Sequence, residues 1–292
     1  MGRRVASSAG EVVQPVAAMA ATRQMHTIAV GNLRNFLKMV DNRGMGTTTV
    51  ILQSYREVNM TPWVEACLES TRLWARANRY EYRFMGDALL EKVPVWYRDK
   101  LAGRTTMMTD LARLVWLRET LSEGVGVAVW LDADTLVFAP DRLRVVLEGS
   151  CQFGAERWVQ VDAVQKRRVY RNVHNAYMAF RRDSAVLPFL IEVVEDLVRR
   201  VDAARVPPQF VGPKLLTSLH NTVGFDVNPA FGAISPLLAE EILQGEVGQG
   251  GDESMFAANL CHSLAREYDH ERLIARLADY PRGIDLAGLG VQ

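Results

Sequence analysis

"VAVWLDADTLVF", residues 127–138, is an apolar run interrupted by two aspartates one residue apart. Val127 to Leu131 is β-branched, aromatic and aliphatic without a polar break, which reads as a strand buried on both faces. Asp132-Ala133-Asp134-Thr135 ends that strand. If the extended conformation persists, the two carboxylates point the same way. Side by side they repel, and burial raises the cost of keeping both ionised. A hard divalent cation taking oxygen ligands would relieve the repulsion, as would protonation of one partner or plain solvent exposure. The bland alternative is a strand-ending turn, where aspartate is common. From these residues alone, site and turn stand level.

The flanking sequence sets the fold class. "TTTVILQ" (47–53) reads as a first buried strand, and "YEYRF" (80–84) alternates like a second. Between them, "TPWVEACLESTRLWARAN" carries Thr61 as N-cap and Pro62 at the first helical position. "TDLARLVWLRETL" (109–121) places apolar residues at 111, 114, 115, 117 and 121, one face of a helix leading into the Asp-x-Asp strand. "AYMAF" (176–180) reads as a strand, "LPFLIEVVEDLVRRV" (187–201) as an amphipathic helix, and "QGEVGQGGD" (244–252) as a mobile loop. Strands alternating with helices predict an α/β fold, a mostly parallel central sheet flanked by helices in a single large domain over 46–292. Ligands of such sheets bind beyond the carboxyl ends of the strands, where the aspartates fall.

Composition excludes several classes. Lys plus Arg and Asp plus Glu both total 34, so no global field recruits nucleic acid or an anionic membrane. The 3 cysteines, Cys67, Cys151 and Cys261, are far apart and in no CxxC, which argues against a disulfide framework or zinc ribbon and suits a reducing compartment. No run is long enough to span a membrane. Residues 1–45 read as a partly disordered tail with a short helix at "NLRNFLKMV". The apolar stretch near the start is broken by Glu11, Gln14 and Pro15, against a cleaved signal. A cytoplasmic protein, at most peripheral to a membrane, is expected.

Two enzyme classes place Asp-x-Asp after such a strand. In haloacid-dehalogenase-like phosphatases the first Asp is nucleophile and the second general acid. "LDADTL" has its Thr one position early for that pattern, and "GDESMF" (251–256) lacks the second acid of their later motif. The other class is the metal-dependent nucleotide-sugar glycosyltransferases. "TDLARLVWLRETLSEGVGVAVWLDADTLVF" (109–138) resembles their Ser-Asp-x-x-Arg helix, glycine turn and Asp-x-Asp. "VILQSYR" (50–56) resembles the strand that carries an aromatic toward the base, and "NRYEYRFMGD" (78–87) an Asn-x-x-Tyr stretch. "HNAYMAF" (174–180) resembles the strand facing the sugar, and "VGPKLLTSL" (211–219) a Gly-Pro-x-Leu-Leu-Thr helix start. "NPAFGAISP" (228–236) and "ANLCHSL" (258–264) match later segments without their Tyr and Trp. In this order, over roughly 48–265, the chain resembles the glycosyltransferase sugar-binding-region family containing DXD (glycosyltransferase family 32). Yeast-type mannosyltransferases, α1,4-glycosyltransferases and clostridial glucosylating toxins belong there.

That resemblance implies a GT-A-like, Rossmann-type fold. It also implies a retaining hexosyltransferase that moves a sugar from a UDP- or GDP-sugar to a glycan or other hydroxyl acceptor with Mn²⁺ or Mg²⁺, as in polysaccharide biosynthesis. Asp134 would ligate the metal and Asp132 would contact sugar or ribose and the metal. Asp110 and Arg113 would bind the donor, Tyr55 would stack on the base, Asn175 would face the sugar, and His262 would add a metal or phosphate contact. Each has a plainer reading: a helical ion pair for Asp110 and Arg113, core packing for Tyr55 and His262. The basic run "KRRVYR" (166–171) would grip an anionic acceptor or form a solvated face. The alternatives kept open are the phosphatase and a catalytically inactive carbohydrate- or nucleotide-binding relative.

Overall fold

The structure, a computed structural model, describes residues 48–264 and 267–290. The tail expected over 1–45 and its short helix lie outside the described residues. Strand β1 (Thr49–Ser54) leads into helix α1 (Pro62–Ala77), strand β2 (Glu81–Met85), and helices α2 (Val95–Lys100) and α3 (Thr105–Ser122). Strands β3 (Val127–Leu131), β4 (Thr135–Val137), β5 (Cys151–Val161) and β6 (Arg167–Arg181) follow. Helices α4 (Val186–Arg200) and α5 (Pro213–Val223) come next, then β7 (Val227–Asn228), β8 (Phe231–Ala233) and α6 (Pro236–Gln244). The chain closes with β9 (Ser254–Met255), β10 (Ala257–Asn259), α7 (His270–Leu277) and β11 (Ile284–Asp285).

The central sheet has 6 strands in the order β2-β1-β3-β6-β5-β7. Its pairings make β6 the only one of them that runs against the rest, so the sheet is mostly parallel, as the alternating pattern predicts. Every residue of β3 is buried, which explains its unbroken apolar run. Side-chain alternation divides the core. Val50, Leu52, Ala128, Trp130, Met178 and Phe180 face α3 and α4, while Ile51, Val129, Leu131, Tyr177 and Ala179 face Trp74 of α1 and Phe231 of β8. Helices therefore cover both faces. A third cluster joins Val64, Cys67 and Leu68 of α1 to Leu238 of α6 and Leu273 of α7, and includes Ala133 and Leu136 beside the two aspartates.

Local signals were read correctly in place and differently in detail. Thr61 occupies the N-cap position of α1, yet its hydroxyl accepts no capping bond and is buried without a partner among the described residues. Helix α3 starts at Thr105 rather than 109, and the Thr109 hydroxyl bonds back to the Thr105 carbonyl at 3.0 Å. The glycine-rich segment 244–252, expected to be a mobile loop, is stitched to the β11 region. Gly250 N–H donates to Gly283 O and Asp285 N–H to Gly248 O, each at 3.0 Å. Positive φ at Gly250 and Gly283 allows that close backbone approach. All 3 cysteines are free. No helix of the described residues is long and apolar enough to cross a membrane.

Candidate active site at the carboxyl edge of the sheet

The chain turns sharply after β3. Thr135 N–H donates to Asp132 O at 3.0 Å, closing a β-turn over Asp132-Ala133-Asp134-Thr135. The extended conformation therefore does not persist, and the two carboxylates are not parallel neighbours on a strand. The turn weighed in the sequence is present, and it hands the chain from the central sheet to a 3-stranded sheet, β4-β10-β8. It also sends the two carboxylates to different partners.

Asp132 reaches toward α3. Its Oδ1 accepts from Arg113 Nη1 at 2.9 Å and from the Trp130 indole N–H at 2.6 Å. Gln53 of β1 fixes the main chain below it, donating to Asp132 O at 3.1 Å. Arg113 also donates through Nη2 to Asp110 Oδ1 at 2.8 Å, through Nη1 to Asn175 O at 3.1 Å and through Nε to Thr109 O at 3.3 Å. One Nη2 hydrogen is left after these bonds, so Arg113 chiefly holds two carboxylates together. Asn175, where β6 bulges against β5, donates to Asp110 Oδ1 at 2.8 Å. Asp110, Arg113 and Asn175 are all buried, at 3%, 5% and 8% exposure. Four of the residues expected to contact a donor thus form one hydrogen-bonded network from α3, β3 and β6.

Asp110 keeps an unmet capacity. Its Oδ2 is buried and accepts from no partner among the described residues. Burial pushes its carboxyl up to about 6, against the opposing pull of Arg113 and the Asn175 bond. Gly212, at the start of α5, packs directly onto it: a Cβ there would sit 2.9 Å from Asp110 Oδ2 and 2.9 Å from Asn175 Nδ2. Its φ of −105° is not left-handed, and the constraint shown at this position is the close approach of those two side chains. Gly212→Ala should push both side-chain ends aside. The expected cost is about 1–3 kcal/mol of stability and, from roughly 1 Å of misplacement, up to 10²-fold in turnover. Steady-state kinetics beside a urea melt would measure both, and unchanged kinetics would show the contact to be idle.

Asp134 turns the other way. Its Oδ1 accepts from Asn259 Nδ2 at 2.6 Å and its Oδ2 from the His262 main-chain N–H at 2.8 Å. Burial, then the charge of Asp132, raises its carboxyl to about 6. Asn259 is itself fixed, since its Oδ1 accepts from Cys261 N–H at 2.8 Å. Asn259, Trp130 and Gln53 were missed by sequence reasoning, although "ANLCHSL" contained Asn259. His262 joins the site through its backbone. Its imidazole Nε2 lies 3.1 Å from the Tyr55 hydroxyl, and its ring stacks on Trp63 at 5.6 Å. Burial, then Arg56 and His270, hold that imidazole below its ordinary range. Arg56 lies over the Tyr55 ring at 5.5 Å.

Hard oxygen donors are available to a cation here. No described residue donates to Asp132 Oδ2, and each Asp134 oxygen keeps a second lone pair. Among the described residues no group of 3 or more His, Cys, Asp or Glu is arranged as a metal cage. Asp132 and Asp134 would thus hold a cation only with further ligands from water or a phosphate, as Mg²⁺ accepts.

No family model matches the chain, and no curated protein matches it. Among solved structures, one with a similar course is described as the crystal structure of a glycosyltransferase involved in the glycosylation of the major capsid of PBCV-1. It is 11% identical with a TM-score of 0.49, covering 77% of this chain and 98% of that one. A likeness of that degree leaves function to the residues themselves.

Proposed function

We propose that this protein is a glycosyltransferase of the GT-A type that moves a hexose from a UDP- or GDP-sugar to a glycan or other hydroxyl acceptor, with Mn²⁺ or Mg²⁺ as cofactor. Retention of configuration follows from the sequence resemblance. The observation that carries the reading is the single network of Asp110, Arg113, Asp132 and Asn175 at the carboxyl edge of the sheet. These residues lie up to 65 positions apart in the chain, and the resemblance assigns each of them to the donor.

Asp132 and Asp134 would hold the cation, which when bound supplies Lewis-acid stabilisation to a departing nucleoside diphosphate. The free, buried Asp110 Oδ2 accepts from a sugar hydroxyl, which removes an uncompensated polar atom from the ligand-free protein. Arg113 keeps the Asp110 and Asp132 carboxylates at fixed separation and offsets their charge. Asn175 holds Asp110 from the opposite side. Tyr55, half-buried beside His262, offers an aromatic edge for a base.

A thermal-shift screen of nucleotide sugars with and without Mn²⁺ tests the reading. Stabilisation by one donor class should require the metal and disappear in Asp134→Asn. Metal-independent stabilisation that survives that change would remove the cation from the proposal. Release of phosphate from a generic phosphomonoester, lost in Asp132→Asn, would replace it with the phosphatase.

Acidity gives a separate check. Asp134 in the ligand-free protein holds its proton up to about pH 6, and a cation binds the ionised form. Mn²⁺ affinity should therefore fall as pH is lowered through about 6, with proton uptake on metal release. Titrations on either side of that value, in buffers of different ionisation enthalpy, would detect it. The stability sign is the reverse. A carboxyl raised in the folded state favours folding below its unfolded value, and that contribution is lost as pH rises through about 6.

A further inference from the structure

The β5–β6 hairpin runs well past the end of β3. Leu131 pairs with Tyr177, while β6 begins ten positions earlier at Arg167. Its outer part carries a groove of about 420 Å³ lined by Arg157, Lys166, Arg167, Arg168 and Arg171, closed on one side by Leu286 and Ala287. Three of these cations are matched. Arg157 Nη2 is 3.0 Å from Glu253, Arg167 Nε is 3.0 Å from Glu241, and Arg168 Nε is 2.8 Å from Asp162. Lys166 and Arg171 have no side-chain partner among the described residues.

Two details show that the groove is not merely a solvated basic face. Arg157 and Arg171 are direct cross-strand partners, and of these two like charges only Arg157 meets an acid among the described residues, Glu253, so Arg171 adds uncompensated positive charge beside it. In addition, Arg157 Nε is buried with no acceptor among the described residues, although an unmet buried guanidinium donor is costly. Forked N–H donors from adjacent arginines match the geometry of phosphoryl oxygens. Glu156, the remaining acid on this stretch, turns to the neighbouring strand and accepts from Asn172 Nδ2 at 2.8 Å.

We propose that this groove is a second anion site, which takes a phosphoryl group carried by the acceptor. Arg171 lies four residues before Asn175 on the same strand, about 13 Å along it, so a phosphate seated here leaves room for a sugar residue or two before the donor network. The assignment to the acceptor rests on the glycosyltransferase reading. Phosphate binding by the groove does not.

The test is titration of the full chain with a hexose 6-phosphate, followed by calorimetry, with the neutral hexose as reference. The Lys166→Ala/Arg171→Ala double variant, altered only at exposed positions, should bind the sugar phosphate about tenfold or more weakly. Asp134→Asn should bind it like the parent. Equal affinity in parent and double variant overturns the proposal. So does loss confined to Asp134→Asn, which would move the phosphate to the donor site. A parallel arm uses phosphatidylcholine vesicles doped with phosphatidic acid. Retention on them, lost in the double variant without soluble sugar-phosphate binding, assigns the phosphoryl group to a lipid carrier. Intact phosphate binding in a protein that turns over no nucleotide sugar would sink the transferase reading and leave the groove standing.

Discussion

Asp134→Asn should lower donor turnover by roughly 10²-fold or more, the scale expected when the electrostatic stabilisation supplied by the cation it would hold is lost. The argument is electrostatic and geometric together. Asp134 accepts from Asn259 Nδ2 and from His262 N–H; an asparagine offers one acceptor oxygen, so its amide nitrogen must face one of those donors. Reorienting Asn259 does not help, because its Oδ1 already serves Cys261 N–H. The variant therefore loses both the negative charge and one hydrogen bond, at a stability cost of about 1–3 kcal/mol. Asn259→Ala separates the two effects: it keeps the charge but releases its aim, and should reduce turnover less than Asp134→Asn does. Comparable losses in the two variants would mean that position, not charge, governs the step. Unchanged turnover in Asp134→Asn would remove it from the chemistry.

Arg113→Met is expected to produce the largest change in stability, about 3–5 kcal/mol, because it strands a buried carboxylate beside a second one. Arg113 at 5% exposure is the cation shared by Asp110 and Asp132. Its removal leaves Asp110, already reluctant to ionise, with Asn175 alone. The double variant Arg113→Met/Asp110→Asn should recover part of the loss, since the orphaned charge is gone. Denaturant melts of the four proteins in the cycle measure that coupling. Additive losses would show that the salt bridge is not the reason for the destabilisation. Turnover should stay low in the double variant, because Asp132 still lacks its guanidinium.

The sheet and its helices were readable because their signals are local. β3 is apolar at each position, and α3 repeats its apolar residues at helical spacing. Asp110 and Arg113 were readable as a pair for the same reason. Their junction with Asp132 and Asn175 needed order along the chain, not periodicity. Asn259 shows where reading stops. It lies in a strand of 3 residues, and its bond to Asp134 spans 125 positions, so no local pattern announces it. The turn at Asp132 misled differently. A side-chain period of two assumes the strand continues, and the bond from Thr135 N–H to Asp132 O shows that it does not. The basic run at 166–171 was legible as charge, but which cations are neutralised depends on Glu241 and Glu253, far downstream.

The tether between Asp134 and the segment at 259–262 has a consequence for the protein's synthesis. Asp132 has Arg113 and Trp130, 19 and 2 positions before it, available as soon as it has emerged. Asp134 must wait for Asn259 and the His262 amide, 125 and 128 residues later. At about 5–20 residues per second, that is a delay on the order of ten seconds during which the first carboxylate is set and the second is not. A nascent chain released early, or one clipped before β10, would carry a folded sheet and a half-assembled carboxylate pair. Competence therefore waits for the segment at 259–262, long after the two aspartates themselves have been made.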